Sequence, residues 1–264
     1  GAVVFLSAIL YTIFTTSEYP PKDLAAFKLK KNKTFGEGLK DFTSQFLSMP
    51  LTMKKLGLIQ FFSWFAFFTM WSMANPAITE HVFNAPYPEI STYNLDIVQE
   101  AELFNQANAK FQSASNSTGS YMGIYGLSSM LFALVLTFYT AKRKISRKYV
   151  HMFSLALGGV GFLLMYGMSN PAYLGLSFTL IGFAWGSVLS MPYAMLSGAV
   201  DEENMGVTMG LFNMFIVLPQ IIAATGGINY LSSLFGEASI YAMVIAGLSL
   251  LIAAGLNFLI DESN

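Results

Sequence analysis

Four side chains in an otherwise apolar stretch carry the first chemical information in this sequence. Residues 56–79, LGLIQFFSWFAFFTMWSMANPAIT, contain no Asp, Glu, Lys or Arg, yet include Gln60, Trp64, Trp71 and Asn75. Their spacings of four, seven and four place all of them within roughly 60° of one another on a helix. A surface facing lipid has no use for two carboxamides and two indoles on one stripe. A surface lining a polar cavity does. Trp64 and Trp71 also fit a second role, as anchors at the headgroup level where aromatics gather. Pro76 falls where the helix bends or ends.

A second set lies in the apolar run 205–227. Asn213 and Gln220 are seven apart and share a face, with Pro219 loosening the helix beside Gln220. These carboxamides serve equally as substrate contacts or as interhelical hydrogen bonds worth about 1 kcal/mol. Tyr121, Tyr125, Trp185 and Tyr193 are further aromatics for which packing is the favoured role. His81 and His151 fall at the ends of apolar runs, and both are expected at the membrane interface rather than in a proton relay. The sequence has no cysteine, no HExxH pair and no carboxylate inside an apolar run. Hydrolytic, thiol and metal chemistry therefore lack their usual groups, and no catalytic residue, metal ligand or cofactor is expected.

The elements that must hold these residues follow from composition. The chain is 54% hydrophobic and 11% charged, where soluble domains carry about 25% charged residues. Six charge-free runs are each long enough for a bilayer core of about 30 Å: 56–79, 119–141, 149–168, 172–195, 205–227 and 238–260. The third and fourth form one uncharged stretch that Ser169-Asn170-Pro171 divides with a turn. The fold class is all-α, a polytopic transmembrane helix bundle. Residues 1–16 read as the end of a preceding membrane helix, and 17–55 as a linker containing an amphipathic surface helix at 34–47. Residues 97–111 read as a separate helix capping a polar loop over 80–118. The pairs Gly182/Gly186 and Gly206/Gly210, and the cluster Gly158-Gly159-x-Gly161, suit close helix packing.

Orientation follows from the basic residues. Of 14 Lys and Arg, eight lie in the linker, five in 142–148 and one, Lys110, in the long loop. Six spans put the linker, the 142–148 loop, the acidic turn at Asp201, Glu202 and Glu203, and the C-terminal residues on one side. The positive-inside rule makes that side cytoplasmic. The expected location is the inner (plasma) membrane.

Residues 190–222, SMPYAMLSGAVDEENMGVTMGLFNMFIVLPQII, together with QFFSWFAFFTMW at 60–71 and SRKYVHMFSLALGGVGF at 146–162, resemble the C-terminal half of a major facilitator sugar transporter. The branch they are most similar to is the sucrose-transporter-like group of the glycoside–pentoside–hexuronide:cation symporters. The resemblance covers most of 55–260. The superfamily repeats a loop of pattern D-R/K-x-G-R-R/K between the second and third helices of each half. Here Arg147 and Lys148 match it, while Arg143 stands at the acid and Ser146 at the glycine. The resemblance implies that this acid latches the two halves; Arg143 stands in its place here.

The resemblance implies uptake of a disaccharide or related glycoside by alternating access, coupled to a proton or Na+. The chain would act with the N-terminal half of the same transporter. Neutral hydrogen-bonding groups and aromatics suit this ligand, because hydroxyls pair with Asn and Gln while pyranose faces stack on Trp or Tyr. The substrate-site candidates are therefore Gln60, Trp64, Trp71, Asn75, Asn213 and Gln220. No carboxylate lies in any span, so a coupling carboxylate is expected in the N-terminal half. Efflux of small amphipathic compounds, and sugar sensing without transport, remain alternatives. Nothing in the net charge of −1 points to nucleic acid.

Overall fold

The computed structural model describes residues 2–16, 36, 40, 43–44, 46–196 and 205–260. Most of the 34–47 surface helix, the turn at Asp201–203 and the tail at Asp261 and Glu262 lie outside the described residues. The chain divides into two compact units, Gly1–Met49 and Pro50–Asn264. In the first, helix α1 runs over Ala2–Thr15; its Thr12 hydroxyl bonds back to the Ala8 carbonyl at 2.9 Å. The rest concerns the second unit.

Helix follows helix there, as bilayer solvation requires when every backbone polar group must be satisfied within its own segment. The order is α2 (Leu51–His81), α3 (Val98–Thr140), α4 (Arg147–Tyr166), α5 (Leu174–Leu196), α6 (Met205–Ile222), α7 (Ile228–Ser233) and α8 (Tyr241–Leu256). Among the described residues, six segments are long and apolar enough to cross a membrane. No strand occurs among the described residues, and the architecture is the expected all-α membrane bundle. The turn between α4 and α5 forms as its sequence predicts: Asn170 Oδ1 accepts from the Ala172 amide at 2.9 Å, and Pro171 takes the first helical position.

Three boundaries differ from the sequence reading. Residues 97–111 and the second span are not separate, because α3 is one helix of 43 residues. At about 1.5 Å per residue it is about 64 Å long, twice the bilayer core. The polar stretch at its middle does not break it, because the Ser117, Thr118 and Ser120 hydroxyls bond back to the carbonyls four residues earlier. Polar side chains satisfied on their own helix leave no reason to unwind. Next, α2 continues through Pro76 to His81 rather than ending there. Finally, the fifth span passes Gly227. A π-helical turn at Ala223–Gly227, with Gly226 at φ +109°, interrupts it before α7 resumes. The positive φ is the conformation only glycine adopts without strain.

Lipid tails are as apolar as leucine, so packing between membrane helices rests on close approach and interhelical hydrogen bonds. α4 lies between α5 and α8; α3 packs on α5; α2 packs on α8, α6 and α3. The glycines mark the seams. A Cβ at Gly158 would lie 2.4 Å from Ala184 Cβ, one at Gly161 2.7 Å from the Ser177 carbonyl, and one at Gly159 3.0 Å from the Gly247 carbonyl. The Gly158-Gly159-x-Gly161 cluster thus docks α4 on both α5 and α8. Gly182 and Gly186 do the same for α5 on α3, against Ser128 and Ser129. The expected Gly206/Gly210 seam is not seen: a Cβ at Gly210 meets nothing within 4 Å, and the Gly206 surroundings lie outside what is described. Ser249 Oγ donates to the Phe62 carbonyl at 2.7 Å and ties α8 to α2.

Candidate functional site

The stripe predicted on α2 exists, but its four members sit at different depths. Gln60 is fully buried, Trp64 is half-buried, Trp71 is 38% exposed and Asn75 is exposed. The surface the stripe shares with the rest of the site therefore opens toward the His81 end of α2. Gln60 differs from its expected place on a cavity wall: it lies within the bundle, where the wheel position is covered by neighbouring helices. Neither amide atom of Gln60 has a hydrogen-bond partner among the described residues, and the Trp64 indole N–H has none either. Buried groups of this kind ordinarily cost about 1–3 kcal/mol each when unpaired.

Trp64 and Trp71 stand two turns apart on α2, and Trp185 of α5 meets both. Ring centroids are 5.4 Å from Trp64 to Trp185, 5.2 Å from Trp71 to Trp185 and 6.2 Å from Trp64 to Trp71, all edge to face. Phe67 packs 4.8 Å from Trp185 and forms the wall behind. These are all three tryptophans of the chain, each in the arrangement that aromatic quadrupoles prefer. The Trp71 indole N–H donates to the Tyr125 hydroxyl of α3 at 3.2 Å. The result is an aromatic cluster with polar tips, in contact with two other helices.

Placement of Trp185 follows from its neighbours in sequence. Gly182 and Gly186 bracket it and bring α5 against α3, where the Tyr125 carbonyl lies 2.4 Å from a Cβ built on Gly182. The tyrosine whose backbone receives α5 also holds Trp71 through its hydroxyl. Sequence reasoning ranked Trp185 and Tyr125 below the α2 stripe; the small-x-x-x-small frame around Trp185 was the signal that could have raised it.

Among the described residues, no hydrogen bond ties Asn213 or Gln220 to this cluster. Asn213 is exposed and its Oδ1 accepts from the Tyr193 hydroxyl at 3.3 Å; Phe212 packs edge-on against the Tyr193 ring at 5.7 Å. Tyr193 is eight residues beyond Trp185 on α5, about 12 Å along the helix axis. Gln220 is half-buried. Asn75 marks the open end of the stripe, where its carbonyl accepts from the Thr79 hydroxyl at 2.9 Å.

The basic residues retained from the loop motif hold helix ends. Arg147 Nη1 donates to the Ala194 carbonyl near the end of α5 at 2.6 Å. Lys148 Nζ donates to the Ile260 carbonyl at 2.6 Å, beyond α8. Cations at these positions satisfy carbonyls that helix ends leave unpaired and suit the helix dipole. The histidines part company. His81 Nε2 lies 2.8 Å from the Tyr166 carbonyl with its ring stacked on Tyr166, as befits a span end. His151 is fully buried, with Nδ1 2.8 Å from Ser187 Oγ and no partner for Nε2 among the described residues. His151 is thus buried within the bundle rather than exposed at the span end. It lies one turn inside α4, where α5 covers it.

Residues 1–224 match the family model of the Major Facilitator Superfamily, and the chain belongs to that superfamily. Its members are transporters of small molecules, which with the six apolar helices makes this a multi-pass membrane transport protein. No curated protein matches the chain.

Proposed function

We propose that the protein carries out secondary transport of a neutral polyhydroxylated substrate, a disaccharide or related glycoside, by alternating access and with proton coupling. The observation that carries this reading is the convergence of all three tryptophans on one cluster with the Tyr125 hydroxyl at its edge. Indole faces take the C–H surfaces of sugar rings, and the unpaired Trp64 N–H and Gln60 carboxamide supply donors and an acceptor for hydroxyls. In this reading Trp64, Trp71, Asn75, Asn213 and Gln220 meet the substrate in successive states, and Gln60, covered by neighbouring helices here, does so once the bundle opens. Asn213 and Tyr193 lie nearer the basic end and engage it later than the tryptophans do. The bundle acts with an N-terminal six-helix half that brings the coupling carboxylate, and the basic end faces the cytoplasm.

The test is proton-driven uptake of radiolabelled sucrose, maltose and trehalose by cells expressing both halves. Uptake that collapses in Trp71→Ala and Asn213→Ala, at unchanged membrane levels, supports the reading. Wild type that moves none of the three sinks the sugar assignment. The aromatic character of the tryptophan cluster favours one second reading, export of an amphipathic aromatic compound, which drug resistance on expression would reveal.

A further inference from the structure

Before its apolar run, the first half of α3 carries a feature that the tryptophan cluster does not use. The loop after α2 lies along α3 and is fastened by two aromatic pairs, Tyr93 on Phe104 at 5.5 Å and Tyr87 on Phe111 at 5.3 Å, both edge to face. Phe104 and Phe111 are seven residues apart, so the fastenings are about 10.5 Å apart along one helix face. Between them falls Ala107, whose methyl group leaves the space unfilled. The loop is tied further by the Ala85 amide on the Thr79 carbonyl at 2.8 Å and by the Asn94 amide on Glu100. What remains is a hollow of about 440 Å³ lined by Asn84, Tyr87, Glu89, Tyr93, Ala107 and Lys110 among others. That is within the range of small-molecule sites.

The lining chemistry is specific. Glu89 and Lys110 bring one charge of each sign, so the hollow favours neither an anion nor a cation. A carboxylate and the Asn84 carboxamide pair with hydroxyls, and Tyr87, 66% exposed, offers a ring to an apolar sugar face. The nearest α3 residue of the hollow, Lys110, lies nine residues before the apolar run 119–141, at the end of the bundle opposite the basic loop.

We propose that this hollow is a second saccharide site, which takes a neutral pyranose-containing ligand between Tyr87 and Tyr93 at the mouth of the transporter. The proposal rests on the sugar reading of the tryptophan cluster and extends it to a place where substrate is held before it enters.

The experiment is equilibrium binding of radiolabelled sucrose, maltose and trehalose to the purified full transporter, comparing Ala107→Trp, Glu89→Gln and Trp71→Ala with wild type. Ala107→Trp fills the hollow without removing a contact. The expected result is two classes of site for one of these sugars. Ala107→Trp abolishes one class, Glu89→Gln weakens that class about tenfold, as loss of a charged hydrogen bond of about 1.4 kcal/mol would do, and Trp71→Ala removes the other. Binding unchanged by both hollow variants overturns the proposal, as does a single class that Trp71→Ala removes. A class lost in the hollow variants while Trp71→Ala binds as wild type leaves the hollow standing and overturns the tryptophan reading. Binding of none of the three overturns the hollow, and the uptake assay then judges the tryptophans.

Discussion

Gly182 of α5 approaches Ser128 of α3 so closely that a Cβ built on the glycine would lie 1.8 Å from the serine Oγ. The same serine hydroxyl lies 3.1 Å from the Tyr125 carbonyl and 3.3 Å from the Thr179 carbonyl. One contact thus combines the two forces left to membrane helices, backbone approach and an interhelical hydrogen bond. It also sets the depth of Trp185, three residues along.

Gly182→Val is therefore expected to destabilise the bundle by about 1–3 kcal/mol or more, the usual cost of forcing bulk into a filled seam. Gly210→Ala is the control. Its Cβ would meet nothing within 4 Å, and alanine is the better helix former by about 1 kcal/mol, so it should be neutral or stabilising. Denaturant titration in detergent micelles checks both. Equal losses for the two would refute the assignment of Gly182 as a packing residue.

The contrast between those glycines shows how far the sequence could be read. Charge-free runs of span length located the six membrane segments, because hydrocarbon admits little else. The junction inside α3 was not legible, since Asn116, Ser117 and Thr118 look like the end of a loop until the Ser117 and Thr118 hydroxyls are seen bonding back along the helix. At the site, helical spacing gave the shared face of Gln60, Trp64, Trp71 and Asn75 but not the depth of each. Depth depends on which neighbours cover the wheel, and that is a property of the other helices. Gly206 and Gly210 had the same spacing as Gly182 and Gly186, and spacing alone did not distinguish a used seam from an open one.

Lys148→Gln is expected to lower stability by about 1 kcal/mol, because its ammonium reaches the Ile260 carbonyl beyond α8 and partial exposure screens the gain. Arg147→Gln should cost a similar amount at the end of α5. The two satisfy carbonyls at different helix ends, so the double variant should lose more stability than either single one. A double variant no less stable than the singles would contradict separate capping roles.

His151 offers a cycle with a definite sign. Its Nδ1 lies 2.8 Å from Ser187 Oγ in a fully buried setting. His151→Phe strands the serine hydroxyl, and Ser187→Ala strands Nδ1, each costing about 1–3 kcal/mol. Removing both leaves no unpaired partner, so the double variant His151→Phe/Ser187→Ala should be more stable than the sum of the singles predicts. Unfolding of all four proteins measures the coupling directly; strict additivity would mean that the two groups do not interact.

The Trp71–Tyr125 hydrogen bond separates positioning from contact in transport. Tyr125→Phe removes the hydroxyl that accepts from the Trp71 indole but keeps the ring. The indole then loses one orienting bond, worth about 1 kcal/mol, and remains edge-on to Trp64 and Trp185. Its expected signature is a rise in the uptake KM of about fivefold with little change in maximal rate. On the proposed sugar reading, Trp71→Ala removes the stacking surface itself and should raise KM well beyond that value, since stacking of a flat ligand face on an aromatic ring is worth about 1–3 kcal/mol for nucleic-acid bases. Trp185→Ala should fall between the two, because Phe67 remains behind it at the wall. Concentration-dependent sugar uptake by the three variants gives the order. If Tyr125→Phe impaired uptake as much as Trp71→Ala, the tyrosine hydroxyl would be a substrate contact in its own right, and the cluster would bind through its polar edge rather than its indole faces.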